Sequence, residues 1–445
     1  MTSRTDNQHS RAVRTYFSPY ARIQAMLDVE AALADAEAST GIIPREAATV
    51  IAAAAEAHLY DIAAIESEAE RAGNLAIPLV RQLTSRVAAT APEMARYVHW
   101  GATSQDIIDT GLVLQLRASV PVILQDLARA ADAAAKHAER HAKTTMAGRT
   151  WLQQATPVTF GFKAAGWCDA LDRAGGRVES RLTDASVLQF GGASGTLAAF
   201  GGRGPAIAVS LGNALRLSVP TMPWHAHRDR LAALACALGV ATGTAGKIGR
   251  DLALLAQTEV GEAHEPASNA GGSSTMPHKR NPVRASAIVA AAVRVPGLVA
   301  TVLSAMLQEH ERGLGGWQAE WPVIPDLVIA AGESARALAD ALDALVVDPA
   351  RMRANVDLTG GLTQSEAVSM RLAQTVGKPE AHTIVERAAA RASDEHRSFS
   401  DVLAAEPSVA QALSRSDLDQ LLSPDGYLGS AEAFVANVLA RRRRT

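Results

Sequence analysis

The chain has 445 residues, of which 48% are hydrophobic and 4% aromatic, and it carries a formal net charge of −3 at pH 7. A length of this order corresponds to about three domains, and the balanced charge excludes a chain-wide basic field that would hold nucleic acid. The apolar residues are dominated by alanine, leucine, valine and isoleucine, and alanine favours helices because it loses no side-chain entropy in them.

The N-terminal region predicts short, alanine-rich helices. Ser18 followed by Pro19 is typical of a helix start, with a capping side chain and a proline at the first helical position. Further helical stretches are predicted over residues 45–69 and 74–90. Residues 97–111 interrupt the pattern with glycine, threonine, serine and aspartate, which predicts a loop and the first domain boundary.

The middle of the chain predicts long helices with wide apolar faces rich in alanine and glycine. They are expected at about residues 112–143, 160–188, 228–258, 284–308 and 325–345. Such helices pack closely against several neighbours, which indicates a bundle extended by other subunits. The most membrane-like run, residues 285–307, contains Arg294 and Pro296, whereas a spanning helix needs about 20 consecutive apolar residues. We therefore interpret it as a buried bundle helix and expect no membrane contact.

The predicted fold is all-α, with no β alternation and no internal repeat. Three domains are expected, at residues 1–110, 111–356 and 357–445. The polar residues 1–10 lack the apolar stretch of a secretory signal. Cys168 and Cys236 lack metal-ligand spacing, and the apolar run around Cys168 predicts its burial. A reducing, cytoplasmic location fits these features.

The C-terminal residues 441–444 are four consecutive arginines. They are consistent either with a contact to nucleic acid or a membrane surface, or with a solvated helix end. We favour the helix end, because cations stabilise the C-terminal end of a helix. No nucleic-acid partner is therefore expected.

The segment at residues 271–282 concentrates groups that carry chemistry. Two glycines allow a mobile backbone, two serine hydroxyls follow, and His278, Lys279 and Arg280 place three potential cations beside the amide of Asn281. Such a segment fits closure over a polyanionic substrate. The alternative is a solvated surface turn, and composition alone does not decide between the two.

The order of residues 272–282, Gly-Ser-Ser-Thr-Met-Pro-His-Lys-Arg-Asn-Pro, resembles the signature segment of the fumarase/aspartase superfamily. Residues 99–106, His-Trp-Gly-Ala-Thr-Ser-Gln-Asp, and residues 148–157, Gly-Arg-Thr-Trp-Leu-Gln-Gln-Ala-Thr-Pro, resemble its first and second conserved regions. The resemblance implies a central bundle of long helices shared by a homotetramer, with each active site built from three subunits. It implies no cofactor, and the histidines form no metal-ligand pattern.

The resemblance also implies a reaction in which a bond forms or breaks at the carbon β to a carboxylate. A base moves the proton α to that carboxylate, and negative charge collects on its oxygens as an aci-carboxylate, which cations and hydrogen-bond donors must stabilise. Ser273 matches the catalytic base, and Lys279 and Asn281 match the positions that hold the aci-carboxylate. Thr103 and Ser104 match carboxylate-binding positions.

Two departures from other members of the superfamily indicate the substrate. The amine lyases and fumarases carry a histidine in the second region, which in the lyases takes part in acid catalysis at the leaving group, where this chain has Trp151. Tryptophan cannot transfer that proton, but a carboxylate leaving group, with a reference pKa of about 4, needs no acid. Residues 311–321 also place Trp317, Gln318 and Trp321 where adenylosuccinate lyases carry hydroxyls and an arginine for a phosphate. The two tryptophans share one helical face and are either core residues or pocket-lining residues.

With these departures the chain resembles bacterial 3-carboxy-cis,cis-muconate cycloisomerases. That family interconverts 3-carboxy-cis,cis-muconate and a γ-lactone, 4-carboxymuconolactone, in protocatechuate breakdown by the β-ketoadipate pathway. The substrate is then a small tricarboxylate, and the further residues expected to bind it are Arg149, Thr150, Trp151, Gln154, Ser274, Met276, His278 and Arg280. The alternatives are an adenylosuccinate lyase or related amine lyase, and a catalytically silent helical scaffold.

Several candidates carry an alternative role. Arg149 and Arg280 either neutralise substrate carboxylates or form structural salt bridges. His141 is either a solvated helical histidine or a catalytic residue that transfers a proton. Asp106 is expected to support the loop of the first region, because its negative charge repels the substrate.

Overall fold

The computed structural model describes residues 13–266, 276 and 279–444. α-Helices dominate this part of the chain, which confirms the predicted all-α fold class. In chain order they are α1 Pro19–Ser39, α2 Arg45–Ala54, α3 Ile62–Ala72, α4 Ala76–Thr90, α5 Ser104–Arg140, α6 Phe160–Ala185, α7 Gly204–Leu215, α8 Asp229–Leu255, α9 Val283–Ser304, α10 Gly316–Asp343, α11 Pro349–Asp357, α12 Ser365–Val376, α13 Lys378–Asp394, α14 Phe399–Ala405, α15 Pro407–Ala412, α16 Arg415–Leu421 and α17 Ala431–Arg442.

Short strands also occur, and the sequence, which shows no β alternation, did not predict them. The strands are β1 Thr145–Thr150, β2 Gln153–Thr159, β3 Ala263–His264 and β4 Val346–Val347. β1 pairs with β2, and β3 with β4, both antiparallel. The hairpin of β1 and β2 escapes sequence detection because its two-residue turn holds Trp151 and Leu152, not the glycine or asparagine that usually marks such a turn.

The chain divides into two compact units, each built from three separate segments. The first contains Met1–Leu127, Arg173–Gly246 and Ala290–Arg336, and the second contains Ala128–Asp172, Lys247–Val289 and Ala337–Thr445. The five longest helices contribute residues to both units. This division follows neither of the predicted boundaries, at residues 110 and 356, and the three-domain organisation stays a prediction.

The first unit opens with α1, whose start confirms the prediction made from Ser18 and Pro19. The hydroxyl of Ser18 accepts a hydrogen bond from the backbone N–H of Ala21, and Pro19 is the first helical residue. The predicted stretch 45–69 is two helices, because α2 ends at Ala54 and Asp61 caps a new helix.

Helix α5 begins at Ser104, so the predicted loop over residues 97–111 is shorter than expected. The side chain of Asp106 accepts a hydrogen bond from the backbone N–H of Thr103, the residue just before the helix. A threonine followed three residues later by an acidic residue is a helix-start pattern, and this half of a capping box fixes the boundary.

Helix α10 begins at Gly316, well before the predicted start at Pro325. It contains Pro322 and Pro325, although an interior proline costs about 3 kcal/mol. Trp317 and Ile324 belong to this stretch of the helix and are buried, and the burial of their side chains helps to offset that cost.

The second unit contains the C-terminal helices, whose core is built from residues of α12 to α16, including Val368, Leu372 and Phe399. Its last helix, α17, ends in arginines that pair with acidic residues. Arg441 pairs with Asp169, Arg442 with Asp132 and Asp172, and Arg443 with Glu139. The predicted solvated helix end is confirmed for Arg441 and Arg443, which are 49% and 71% exposed, whereas Arg442 is only 17% exposed.

Helix α9 presents an apolar surface that the described chain leaves uncovered. By length and composition alone, α5, α8 and α9 are long and apolar enough to cross a membrane. The apolar windows of α5 and α8 are 56% and 61% buried, whereas that of α9 is 17% buried. Val293 on α9 is 75% exposed. Within the described part of the chain, the predicted burial of this run is therefore not found.

Candidate active site

The carboxylate of Asp106 holds the first conserved region in place. It is 1% exposed, and it accepts hydrogen bonds from the backbone N–H groups of Thr103 at 3.1 Å and of Gly191 and Gly192 at 2.9 Å each. His225 Nε2 donates a further bond at 2.8 Å. With its acceptor sites engaged by protein donors, Asp106 supports its loop as predicted.

Arg312 makes a second connection between the same two loops. Its guanidinium donates to the hydroxyl of Thr103 at 2.8 Å and to the carbonyl of Ala193 at 2.9 Å. One carboxylate and one guanidinium thus join the loop before α5 to the glycine-rich loop at residues 191–195. Thr103 and Ser104 lie at the N-terminal end of α5, where the helix dipole favours an anion.

A fully buried ionic network lies one helical turn further along α5. Arg228 is buried and pairs with Asp109 at 2.6 Å and with Glu320. Burial lowers the pKa of Arg228, but the charges of Asp109 and Glu320 raise it by more than burial lowers it. The net shift is upward, so the guanidinium stays charged. Trp317 donates its indole N–H to Asp109 at 3.0 Å. Trp317 is therefore a core residue, one of the two roles that the sequence left open.

The hairpin of β1 and β2, in the second unit, carries the second conserved region. A bulge between Ala147 and Gly148 interrupts its register. A Cβ at Gly148 would lie 2.4 Å from the carbonyl oxygen of Thr156, so this position requires glycine. At the base of the hairpin, Thr145 donates to Asp425 at 2.5 Å.

Arg149 on β1 forms a bidentate ion pair with a fully buried carboxylate. Its two terminal nitrogens lie 2.6 and 2.9 Å from the oxygens of Glu262, which also accepts a bond from Asn355 at 2.8 Å. Gln154 on β2 donates to the backbone carbonyl of Asn355 at 3.0 Å. Of the two roles left open for Arg149, the geometry favours the structural salt bridge.

The tip of the hairpin is exposed and conformationally costly. Trp151 has φ +52° and is 98% exposed, and Leu152 has φ +63° and is 74% exposed. Bulky residues in this left-handed region of backbone space are strained, and an exposed tryptophan loses the stabilisation that burial gives. Thr150, beside them, is also exposed. Among the described residues, none packs on the tip in a way that would explain this arrangement.

His141, near the end of α5 in the second unit, is buried, so the alternative of a solvated helical histidine was wrong. Its Nδ1 lies 3.1 Å from the hydroxyl of Thr144, and its ring packs against Phe160. Burial lowers its pKa, and the charges of His137 and Arg140 lower it further. Near neutral pH its imidazole is therefore mostly uncharged and able to accept a proton.

The described part of the signature segment places its polar groups on the surface just before α9. Lys279, Arg280 and Asn281 are exposed, and Met276 is 42% exposed. Ser273, Ser274 and His278, also predicted from the sequence, lie outside the described residues. Their roles, and those of the other predicted site residues, stay predictions.

Glu265 fixes the point at which this segment enters α9. Its carboxylate accepts a hydrogen bond from the backbone N–H of Ala285 at 3.1 Å and lies 3.3 Å from the guanidinium of Arg284. An acidic side chain at a helix N-terminus satisfies free N–H groups and interacts favourably with the helix dipole. Glu265 thus holds the first turn of α9, which directly follows Lys279 and Asn281 in the chain.

Sequence reasoning missed the residues that support the predicted site. Arg312, His225, Glu262 and Glu265 each contact a candidate residue or its segment, yet none was selected. Arg312 stands 209 residues from its partner Thr103, and spacing in the sequence gives no signal for such a pair. Polar residues beside the conserved regions were the available hint.

Comparisons with known proteins agree with the resemblance seen in the sequence. A family model described as "Lyase" matches residues 5–297, and one described as "Adenylosuccinate lyase C-terminus" matches residues 361–438. The chain is 51% identical to 3-carboxy-cis,cis-muconate cycloisomerase of Pseudomonas aeruginosa over 96% of this chain and 94% of that protein. It is 47% identical to the protein of the same name from Bradyrhizobium diazoefficiens over 97% and 96%.

The chain belongs to the fumarase/aspartase superfamily of lyases. A crystal structure of 3-carboxy-cis,cis-muconate lactonizing enzyme from Pseudomonas putida matches it with a TM-score of 0.92 and 48% identity, covering 97% of each chain. As a member of this superfamily with such relatives, the chain is an enzyme of the lyase and cycloisomerase type.

Proposed function

We propose that the chain catalyses the interconversion of 3-carboxy-cis,cis-muconate and 4-carboxymuconolactone. Two relatives that carry this activity in their names are 51% and 47% identical to it over nearly their whole length. The proposal includes a place in protocatechuate breakdown and a cytoplasmic location. The free thiols of Cys168 and Cys236 fit a reducing compartment.

The proposed reaction adds one carboxylate of the substrate across a double bond of the same molecule. A carboxylate oxygen forms a bond to the carbon that bears the 3-carboxyl group, and the electron pair of the double bond moves onto the neighbouring carboxylate as an aci-carboxylate. A proton then adds to the carbon α to that carboxylate. The trianion thus takes up one proton and becomes a dianionic lactone, and the reverse reaction releases that proton.

The residue roles follow the superfamily pattern. Ser273 exchanges the α proton, and Lys279 and Asn281 stabilise the aci-carboxylate through a cation and an amide donor. Thr103 and Ser104 bind a substrate carboxylate at the start of α5. Arg149 holds the hairpin through Glu262, since its charge is already compensated.

One observation carries this choice of reaction over an amine lyase. The position in the second region where the amine lyases carry a catalytic histidine is occupied by Trp151, at the exposed tip of the hairpin. An indole donates a hydrogen bond but does not supply a proton, whereas an amine leaving group requires one. Lactone opening releases a carboxylate, which leaves without protonation.

The environment of Trp317 also supports a substrate without a phosphate. The side chain of Trp317 is buried and bonded to Asp109, and it stacks edge-to-face on Trp321 with ring centroids 4.9 Å apart. At these two positions the chain offers indole rings in place of the hydroxyls and arginine that would bind a phosphate.

The test is the ultraviolet absorbance of the purified protein mixed with 3-carboxy-cis,cis-muconate, with adenylosuccinate measured in parallel. We expect loss of the conjugated-diene signal and no change with adenylosuccinate. Turnover of adenylosuccinate alone would mean an amine lyase, and no turnover of either would exclude both reactions.

We further propose that the enzyme is a homotetramer whose active sites combine residues of different subunits. Two surfaces support this: the uncovered apolar face of α9, and the exposed, strained hairpin tip. Exposed apolar surface of this kind is typical of subunit interfaces. Light scattering at working concentration is expected to give four times the chain mass of 46.5 kDa. A single-chain mass would contradict the proposal.

Complementation between inactive variants tests the shared site. Asp106→Asn damages the first region and Trp151→Gly the second. If the two regions of one site come from different subunits, random reassembly of a mixture leaves about a quarter of the sites with both regions intact. We expect the mixture to regain activity that neither variant has alone. Tetrameric mixtures without recovery would place both regions of a site in one subunit.

A further inference from the structure

Helix α1 carries two buried carboxyl groups that differ in their partners. Glu30 and Glu37 are each 1% exposed. Glu30 Oε1 lies 2.6 Å from Nδ1 of His99, although its Oε2 has no hydrogen-bond partner among the described residues; Oε1 of Glu37 has none either, and no side chain pairs with Glu37 there. A buried carboxyl group is costly unless it is neutral or paired. The two residues represent these two solutions: Glu37 is protonated, and Glu30 is paired.

The partner of Glu30 begins the loop that carries the predicted carboxylate-binding residues. His99 has φ +58°, and Gly101 has φ +66°. A Cβ at Gly101 would lie 2.5 Å from the ring of Phe200, so the loop packs tightly there. The loop reaches Thr103, which is held by Asp106 and Arg312. A left-handed histidine is strained, and such strain is typical of functional positions.

The charges around His99 favour its protonated form. Burial lowers the pKa of His99, but the charge and hydrogen bond of Glu30 and the charge of Asp106 raise it by more, so the net direction is upward. On the far side of Glu30, burial raises the pKa of Tyr60 to about 12, and Arg86 lies 5.1 Å from the Tyr60 ring. Burial and the charge of Glu30 raise the pKa of Glu37 to about 9, so Glu37 is neutral near pH 7.

We infer that Glu30 is a positioning residue that fixes His99 as a cation at the start of the Thr103 loop, where the imidazolium helps to bind the tricarboxylate. This inference rests on the proposed function, because a trianionic substrate is what requires a further cation. Arg149 is already neutralised by Glu262. His99 is 19% exposed, and its Nε2 has no hydrogen-bond partner among the described residues. Its second N–H is therefore available for an anion.

The two glutamates provide a matched pair of variants. Glu30→Gln removes the charge that faces His99 but keeps the shape and one acceptor oxygen. Glu37→Gln makes the same change on the same helix at a group that is already neutral. Near pH 7.5 we expect Glu30→Gln to raise KM for 3-carboxy-cis,cis-muconate about tenfold with little change in kcat, because a neutral imidazole makes a weaker hydrogen bond to an anion than an imidazolium does. Glu37→Gln is expected to leave both constants unchanged.

Two further measurements separate charge from packing. In histidine-labelled protein, the NMR signal of His99 is expected to titrate at higher pH in the wild type than in Glu30→Gln, and at the same pH in Glu37→Gln. The KM of Glu30→Gln is expected to approach the wild-type value at acidic pH, where His99 is protonated without help. If Glu30 had a purely structural role, the KM of Glu30→Gln would stay raised at acidic pH.

A His99→Gln variant keeps the inference testable if Glu30→Gln does not fold. It is expected to raise KM to the same extent, and the double variant is expected to show no further loss. Equal kinetics of Glu30→Gln and Glu37→Gln, or a His99 signal in the wild type that titrates well below neutral pH, would overturn the inference. A wild-type enzyme that does not convert the muconate would instead refute the proposed function, and the NMR titration would still decide the charge of His99.

Discussion

The two conserved regions described by the structure are stabilised in opposite ways. The loop at Thr103 is held by buried partners within its own unit, chiefly Asp106 and Arg312. The hairpin tip at Trp151, in contrast, is 98% exposed and left-handed, although Arg149 on the adjacent strand is held by its pair with Glu262. The partners that hold the first region in place come from the same chain. The tip of the second region is strained and exposed in the described chain. This is the reason for the proposal that it lies at a site shared between subunits.

The largest expected effect comes from removing the carboxylate of Asp106, which holds the first conserved region in place. Asp106→Asn keeps the shape but places an amide among donor groups and removes the charge, so about two charge-assisted hydrogen bonds are lost. At about 2 kcal/mol each this amounts to about 4 kcal/mol, or roughly a 1,000-fold loss in kcat/KM. Steady-state kinetics and thermal unfolding measure it. Near-native kcat/KM would show that the Thr103 loop is not part of the site.

The second test concerns the hairpin tip. Trp151→Gly relieves the left-handed strain and removes a side chain that is 98% exposed, so the free energy of unfolding of the chain is expected to change by less than about 1 kcal/mol. Activity is expected to fall about 100-fold, because a tryptophan buried at an interface typically contributes 2 kcal/mol or more. Leu152→Gly is the control for the turn. If both variants keep full activity, the tip is ordinary surface.

The third test uses the buried carboxyl group of Glu37 on α1. The pKa of Glu37 is raised from 4.5 to about 9 in the folded chain, so between these values the folded state binds more protons than the unfolded state, and stability falls as pH rises. From pH 5.5 to 7 the expected loss is about 2 kcal/mol at 1.36 kcal/mol per pKa unit. Denaturant unfolding is expected to show this slope in the wild type and not in Glu37→Gln. Equal slopes would mean that Glu37 is ionised.

The smallest expected effect is at the C-terminus. Arg442 is 17% exposed and pairs with Asp132 at 2.7 Å and with Asp172. Arg442→Ala is expected to lower the unfolding free energy by about 1 kcal/mol, less so at high salt, and to leave kcat and KM unchanged. Arg444→Ala is the control on the same tail. A loss of activity in Arg442→Ala with intact stability would instead connect the tail to the site.

Much of the fold follows from the sequence because the long helices have sustained apolar periodicity and sharp starts such as Ser18-Pro19. The errors lie where a local rule was overridden or missed. The capping interaction of Thr103 and Asp106 moved the start of α5, tertiary packing carried α10 through Pro325, and the hairpin turn uses Trp151 and Leu152 against their backbone preferences.

The candidate site was predicted residue by residue only where ordered motifs exist. Its supporting residues were not, because Arg312 acts on Thr103 across 209 positions and Glu262 on Arg149 across 113. Such pairs are set by the packing of helices and not by local spacing. The state of buried groups was also beyond the sequence, because burial and nearby charges together shift the pKa values of His141 and Glu37 toward their neutral forms.

The most direct test of the proposed reaction is proton uptake during turnover. The wild-type enzyme is mixed with 3-carboxy-cis,cis-muconate in weak buffer, and the diene absorbance and a pH indicator are recorded together. Lactone formation predicts one proton taken up for each diene lost, because a trianion becomes a dianion. Loss of the diene without proton uptake, or no loss at all, would contradict the account.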